Sequence, residues 1–421
     1  MNAQAGLAAQ IGKSSAARAS PSMAALGFLL LLCLAYAINA ADRQIFPTLL
    51  PAIRQDFDFD LKVAGLLATI FTLGLAAAGL PAGHVVDRAS RKTIILVAMA
   101  IYSLFTLATI FAQGFWDMLF YRAMTGVGEG MQMAALFAAI GSYFHHRRSF
   151  FIGWLIVAYG VGAFLGPRIG AALAEAADSW RAPFVWFAGA GLVIAGLVLV
   201  FVPREFTESA GPLREGSTAN QAHAHVPEAL WNRNVILGIL GCVILGYSLY
   251  GFIGLYTTYL KEVLSFSQAD AAAALSFFGL GGLMSFAGGY LGDRFSQRWV
   301  TALAFALLAA VSYAMYNWST SLFSQSVLSF LIGVLASGVA FVNLLSLLQR
   351  SVQPRFVGAA SGIFLTALFG AASTAGYLLG LLVGAFGWGG AALIELTLLP
   401  IVGIIAMMLV DPARLLVVRK R

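Results

Sequence analysis

Gly83-His84-Val85-Val86-Asp87-Arg88-Ala89-Ser90-Arg91-Lys92 and Gly289-Tyr290-Leu291-Gly292-Asp293-Arg294-Phe295-Ser296-Gln297-Arg298 are two versions of one polar passage, each set between long apolar runs. Both read G-x-x-x-D-R. A passage written twice at matching places marks a chain built from a repeated unit. Working outward from the two copies, the hydropathy pattern predicts twelve apolar helices. The first six cover about 25–50, 62–84, 92–113, 116–143, 150–173 and 182–202. The last six cover about 234–260, 268–291, 298–317, 322–348, 357–385 and 388–410. A helix that crosses a bilayer needs roughly 20 apolar residues, and these runs supply them. The copies fall between spans 2 and 3 and between spans 8 and 9. An even number of spans per half keeps both halves in the same orientation, related by an axis along the membrane normal.

Composition agrees. Of 421 residues, 60% are hydrophobic and 10% charged, with a mean hydropathy of +0.86. A soluble domain carries about 25% charged residues. The runs are continuously apolar and do not alternate, which predicts an all-α membrane protein and not a barrel. The 45 glycines suit helices that pack closely in lipid. A net charge of +7 raises the question of nucleic acid, but the positive charge follows the spans. Most lysines and arginines fall on the side of the two repeated loops and the termini. Arg54, Lys62, Arg181 and Lys261 fall on the other side, and Arg43, Arg122 and Arg168 lie within spans. The acids show no such bias. This is the positive-inside pattern, and it predicts cytoplasmic N- and C-termini.

The expected organisation is a cytoplasmic tail (1–22), a six-helix bundle (23–202), a polar cytoplasmic linker (203–233), a second six-helix bundle (234–411) and a basic cytoplasmic tail (412–421). Residues 1–22 are polar and the first apolar run is long enough to span, so no cleavable leader is expected. Cys33 and Cys242 fall inside spans and suggest neither a disulfide nor a metal site. His84, His145, His146, His223 and His225 fall in cytoplasmic loops and read as solvated residues. There is no G-x-x-x-x-G-K-[ST] loop and no soluble domain for nucleotide hydrolysis. The chain therefore reads as no enzyme, without cofactor or metal, drawing energy from an ion gradient.

Charge inside the membrane is costly, so it marks ion or substrate paths. Asp42 and Arg43 are adjacent in span 1. Arg122 and Glu129 lie two turns apart on one face of span 4, about 10 Å from each other. Arg122 falls in the outer third of its span and Glu129 near mid-membrane, and Asp42 sits at a depth where it reaches Arg122. Arg43 must point about 100° away from Asp42, toward another partner in the outer half. Glu395 stands alone in span 12 and reads as a protonated packing residue. The other charged possibility for the Asp42, Arg43, Arg122 and Glu129 group is a fixed network that locks helices together.

On the paired loops and the twelve spans, the chain resembles the major facilitator superfamily over nearly its whole length. The resemblance implies a fold of two six-helix bundles around a central cavity lined by spans 1, 4, 7 and 10, which places Asp42, Arg43, Arg122 and Glu129 beside that cavity. It implies that the loops form a cytoplasmic gate, with Gly83 and Gly289 at close helix contacts, Asp87 near the end of span 11 and Asp293 near the end of span 5, beside Arg88, Arg91 and Arg294. Asp42-Arg43 with Arg122-x-x-x-Gly126-x-Gly128-Glu129 resembles two branches, the anion:cation symporters and the spinster-like lipid transporters. The chain departs from both at Asn39-Ala40-Ala41-Asp42, where a Tyr-Leu pair commonly precedes the aspartate.

The resemblance implies proton-coupled transport of small organic anions, such as sugar or aromatic acids, across a bacterial inner membrane by a monomer. Asp42 and Glu129 would bind the proton. Arg122, then Arg43, would hold the anion, because a planar guanidinium grips a carboxylate through two bonds. Tyr247, Tyr250 and Asn343 would hold its body. An anion that takes an arginine from a carboxylate makes that carboxylate bind a proton more readily, so the two affinities are linked. Rival expectations are a spinster-like lysolipid carrier, a proton-coupled exporter suggested by Gly160-Val161-Gly162-Ala163-Phe164-Leu165-Gly166-Pro167 in span 5, and a transport-dead membrane sensor.

Overall fold

A computed structural model describes residues 22–78, 90–144, 148–208, 227–353 and 356–415. Gly83, Asp87, Arg88 and the five histidines lie outside the described residues. Sides of the molecule are named here from the lysine and arginine distribution. Ten helical stretches among the described residues are long and apolar enough to cross a membrane. The last of them, Ala359–Met408, is two spans: the backbone breaks at Gly387, whose φ of 68° lies where glycine alone is comfortable. Phe115–Tyr143, more polar because it carries Asp117, Arg122 and Glu129, is a further helix of 29 residues. Together these make the twelve spans.

Span ends follow local chemistry. Ser22, Asp60, Ser90, Asn232, Ser267 and Ser321 each cap a helix by accepting from a backbone N–H in its first turn. Span 1 runs Met23–Phe57, well past the expected end at 50, because Pro47 and Pro51 are tolerated within it. The reason is visible in the hydrogen bonds. A proline leaves the carbonyl four residues earlier without its helical partner. Pro51 frees the Pro47 carbonyl, and Thr257 Oγ1 of span 7 donates to it from the other bundle. Gln268 Nε2 donates to the neighbouring Thr48 carbonyl at 2.6 Å.

The two bundles meet along the outer half. Span 2 crosses span 11 where Gly65 faces Gly376; a Cβ on Gly65 would sit 2.5 Å from the Gly376 carbonyl carbon. Thr69 Oγ1 donates to the Ser373 carbonyl at 3.0 Å in the same crossing. Span 5 meets span 8 at Gly279, where a Cβ would lie 2.6 Å from the Phe164 nitrogen. Arg54 and Glu262 pair across the outer rim. The protein is closed toward the outside.

The cytoplasmic ends are tied within each bundle. The short helix Arg204–Glu208 follows span 6 and returns Glu208 to the start of span 3, where the Lys92 N–H and Ser90 Oγ donate to its carboxylate at 3.0 and 2.9 Å. Arg91 Nη1 reaches the Thr207 carbonyl at 3.4 Å. Partial burial opposes the charge on Glu208, but these donors and the Arg91 N–H and Thr207 hydroxyl outweigh it and hold the carboxyl below the ordinary glutamate range. In the second bundle Asn234 and Asp411 exchange two hydrogen bonds of 2.8 Å, joining the first and last turns.

Candidate transport site

Span 1 brings Asp42 and Arg43 to the centre of the first bundle on consecutive residues, so the helix sends them to different neighbours. Asp42 is 2% exposed and accepts from Thr106 Oγ1 of span 3 at 2.7 Å. Arg43 turns to span 4 and places Nε 2.8 Å from Glu129 Oε2. That contact is an ion pair, and Glu129 Oε1 is left without a hydrogen-bond partner. Glu129 is 0% exposed. Gly126 and Gly128, both just before it in sequence, let span 4 close on spans 2 and 3: a Cβ on Gly126 would lie 2.7 Å from the Phe71 carbonyl carbon, and one on Gly128 2.6 Å from the Tyr102 nitrogen.

Arg122 is 1% exposed and sits between two rings, 4.6 Å from the Phe46 centroid and 5.1 Å from that of Phe71. A guanidinium over ring faces is stabilised by the ring quadrupole. Its Nε and Nη2 lack hydrogen-bond partners. Asp42 is in electrostatic range of Arg122, Arg43 and Glu129, so the four groups form one buried set. The expected direct Asp42–Arg122 contact is replaced by this arrangement: Asp42 is held by Thr106, Glu129 by Arg43, and Arg122 by aromatic faces.

Sequence reasoning missed the supporting residues. Tyr159 of span 5 lies under Arg43 at 5.9 Å, and Tyr36 of span 1 lies 5.8 Å from Tyr159. Asn39 Nδ2 donates to Gln132 Oε1 at 2.6 Å, and Gln132 Nε2 to the Ala35 carbonyl at 3.3 Å, tying spans 1 and 4 below the charges. Two amides on two cavity helices were a usable signal. A single threonine in span 3 and scattered aromatics were not.

The second bundle contributes rings. Tyr250 is buried, within electrostatic range of Arg43, Glu129, Tyr36 and Tyr159, and it stands 6.1 Å from Phe71 and 6.0 Å from Phe369. Tyr247 and Thr374 share a hydrogen bond of 3.1 Å between spans 7 and 11. Asn343 is placed otherwise. Its Nδ2 donates to the carbonyls of Gly288 and Val339, both at 2.9 Å, so its amide fastens span 10 to span 8 and faces no cavity partner. The close approach expected at Gly289 belongs to its neighbours: a Cβ at 289 would make ordinary contact at 3.6 Å, while one at Gly288 would meet Val339 Cα at 2.9 Å and one at Gly292 would meet the Asn343 side chain.

At the gate, Asp293 pairs with Arg350 at 2.6 Å, inside its own bundle, and Arg294 Nη1 bonds Tyr290 Oη at 3.1 Å. The expected contact of Asp293 with span 5 belongs to a closed cytoplasmic side, whereas here the outer side is closed. Arg168 lies between bundles, 4.2 Å from the Phe164 ring and 5.2 Å from that of Phe277. A cleft of ≈ 740 Å³ opens on the outer rim among Asp56, Trp180, Arg181, Lys261 and Gln268. Arg181 pairs there with Asp56 at 2.9 Å, and the cleft is separate from the buried charges.

Two bundles, a closed outer half and charge buried on spans 1 and 4 are what a rocking carrier requires. The family model for the Major Facilitator Superfamily matches residues 32–376. The chain belongs to the Major Facilitator Superfamily. Within the superfamily it is 28% identical to a hexuronate transporter of Bacillus subtilis (strain 168), an alignment covering 76% of each chain. It is 23% identical to a 4-hydroxybenzoate transporter of Acinetobacter baylyi, covering 68% of each. It is also 29% identical to protein spinster of Drosophila melanogaster, across 50% of this chain and 34% of that one. Among solved structures, a bacterial homologue of the human lysosomal transporter spinster, inward-facing and unoccupied, superposes with a TM-score of 0.74, 18% identity and coverage of 94% and 97%. That likeness establishes the fold. The protein is thus a multi-pass membrane transporter, and the superfamily is one of transporters, not enzymes.

Proposed function

We propose that the chain is a proton-coupled carrier that takes up small organic anions across an inner membrane, with both termini cytoplasmic, acting as a monomer. The observation that carries this reading is charge balance in the buried set. Two carboxyls and two guanidiniums, all 4% exposed or less, are neutral together when both carboxyls are ionised. One entering anion leaves the set one negative charge in excess, in a medium that penalises unbalanced charge. A proton on Asp42 or Glu129 restores neutrality. Anion and proton therefore favour each other's binding, and the coupling is reciprocal.

Roles follow from contacts. Arg122 feels Glu129 and Asp42 only at a distance and its Nε and Nη2 have no hydrogen-bond partner, so its fork is available to an anion. Arg43 links the anion to Glu129: an anion that draws Arg43 away leaves Glu129 to take the proton. Tyr250 faces the same region from the second bundle, and with Tyr247, one turn away on span 7 beside Thr374, suits an anion with a ring or a hydroxylated body. The names of the hexuronate and 4-hydroxybenzoate transporters support that class. The test is uptake into proteoliposomes with an imposed pH gradient, using a sugar acid, an aromatic acid and a lysolipid. Accumulation of an acid that collapses with the gradient is the expected result. Transport of the lysolipid alone would replace this reading with a spinster-like one, which the aromatic faces around Arg122 would then explain.

A further inference from the structure

Glu395 takes no part in the central site, yet it is the third carboxyl inside the membrane. It is 1% exposed, and neither oxygen has a hydrogen-bond partner. It sits in a π-helical stretch, Leu393–Leu398, in the outer half of span 12. Such wide turns are uncommon and gather at functional positions. Opposite it, span 7 offers Gly251, and only a glycine fits: a Cβ there would lie 2.5 Å from Glu395 Oε1. Span 9 presents Tyr316, whose hydroxyl is buried without a partner and lies in electrostatic range of Glu395. Span 11 carries no Asp, Glu, Lys, Arg or His between Val357 and Phe386. Among the described residues no charged group lies in electrostatic range of Glu395.

Span 7 links this carboxyl to the gate. Six residues beyond Gly251, Thr257 donates to the Pro47 carbonyl across the bundle interface, and Glu262 at the end of the same helix pairs with Arg54. One residue before Gly251 stands Tyr250, at the central site. The outer half of span 7 is therefore the part that shuts the outside, and it rests on Glu395. An ionised carboxylate sealed there without a counter-charge is penalised, while a protonated acid packs at little cost.

We infer that Glu395 is a proton-binding site of the second bundle, and that its protonation is required for span 7 to close the outer gate. This rests on the proton-coupled reading only in taking the outer gate as part of a transport cycle. Glu395 then adds a second use of the proton: Asp42 and Glu129 tie it to the anion, and Glu395 ties it to closure.

The experiment reads the gate with the central carboxyls removed. In an Asp42→Asn/Glu129→Gln background with Cys33 and Cys242 replaced by alanine, reagent access to a single cysteine placed at Ala68, buried in the outer seam against Gly254 of span 7, is measured between about pH 5 and about pH 9, each rate divided by that of a cysteine at the exposed Gln55 to remove the thiol's own ionisation. Access should rise with pH, and adding Glu395→Gln should leave it low at every pH. A double variant without pH dependence, or a triple variant that keeps it, overturns the proposal. Wild-type protein provides a check free of substitutions. A membrane-soluble carbodiimide, which modifies protonated carboxyls, should label Glu395 at the acid end, and labelling should fall about tenfold per pH unit once the group ionises. Labelling that is absent or constant across the range also overturns it. A failure of the central reading would show separately, as uptake in wild type that ignores the pH gradient.

Discussion

The first bundle holds two acids and two arginines in one buried set, while the second faces it with tyrosines and keeps its own acid, Glu395, apart on span 12. The halves repeat in topology and in their loops but differ in chemistry. What the difference teaches is that duplication fixes the frame, whereas the proton coupling proposed above needs opposite charges close enough to feel each other. That is achieved on one side only: a second charged set across the cavity would have to be desolvated again at each closure.

The largest test of this division is removal of the acids. Asp42→Asn and Glu129→Gln should each abolish accumulation driven by a pH gradient, since an amide cannot cycle a proton. Counterflow exchange should persist in at least one of them, and normal accumulation in the double variant would erase the contrast between the bundles. Next comes the grip on the anion. Arg122→Lys should lose about 2–5 kcal/mol of binding, thirtyfold or more, because a point-like ammonium lacks the fork. Tyr250→Phe in the opposite bundle should lose only about 0.5–1.5 kcal/mol, read in the same titration calorimetry. Equal losses would mean that both bundles share the anion's charge.

Two smaller effects compare the cytoplasmic ends. Asp293→Asn removes an exposed pair with Arg350, worth about 0.2–1 kcal/mol at most, so melting temperature should hardly move. Cysteine accessibility on the cytoplasmic face should nonetheless shift, if Asp293 exchanges Arg350 for the end of span 5 when that face closes. Glu208→Gln should lower stability at neutral pH. The clasp on span 3 favours the ionised carboxyl, so its contribution is present above the ordinary glutamate value of 4.5 and is lost as pH falls through the depressed value of the clasped group. The melting temperatures of wild type and variant should converge in acid. A constant gap would make Glu208 a packing residue.

Spans, repeat and the four central charges are legible because lipid turns hydropathy and buried charge into extreme signals. The partner map is less so. That Arg43 points about 100° away from Asp42 is a matter of helix geometry, but which neighbour it then meets depends on how span 4 packs, and the packing brings Glu129 to it. Arg122 reads as an acid's neighbour, and it does lie in electrostatic range of Glu129 and Asp42, but the faces it rests on are those of Phe46 and Phe71, which the sequence does not announce. Asn343, a polar residue on a cavity helix, reads as a ligand until its amide is found on the Gly288 and Val339 carbonyls. Span 1 reads as ending near 50 but runs to Phe57, and the carbonyl that Pro51 frees finds its donor in the other bundle.

The way each bundle fastens its own ends bears on how the chain could be divided. Glu208 is clasped to span 3, and Asn234 joins the first turn of span 7 to Asp411 beyond the end of span 12. Neither fastening reaches across to the other bundle. Two separately expressed fragments, parted anywhere in 209–226, would each retain the bonds that finish their own helices. Gly65 against Gly376 and Arg54 against Glu262 are then contacts through which the halves would have to meet in the bilayer.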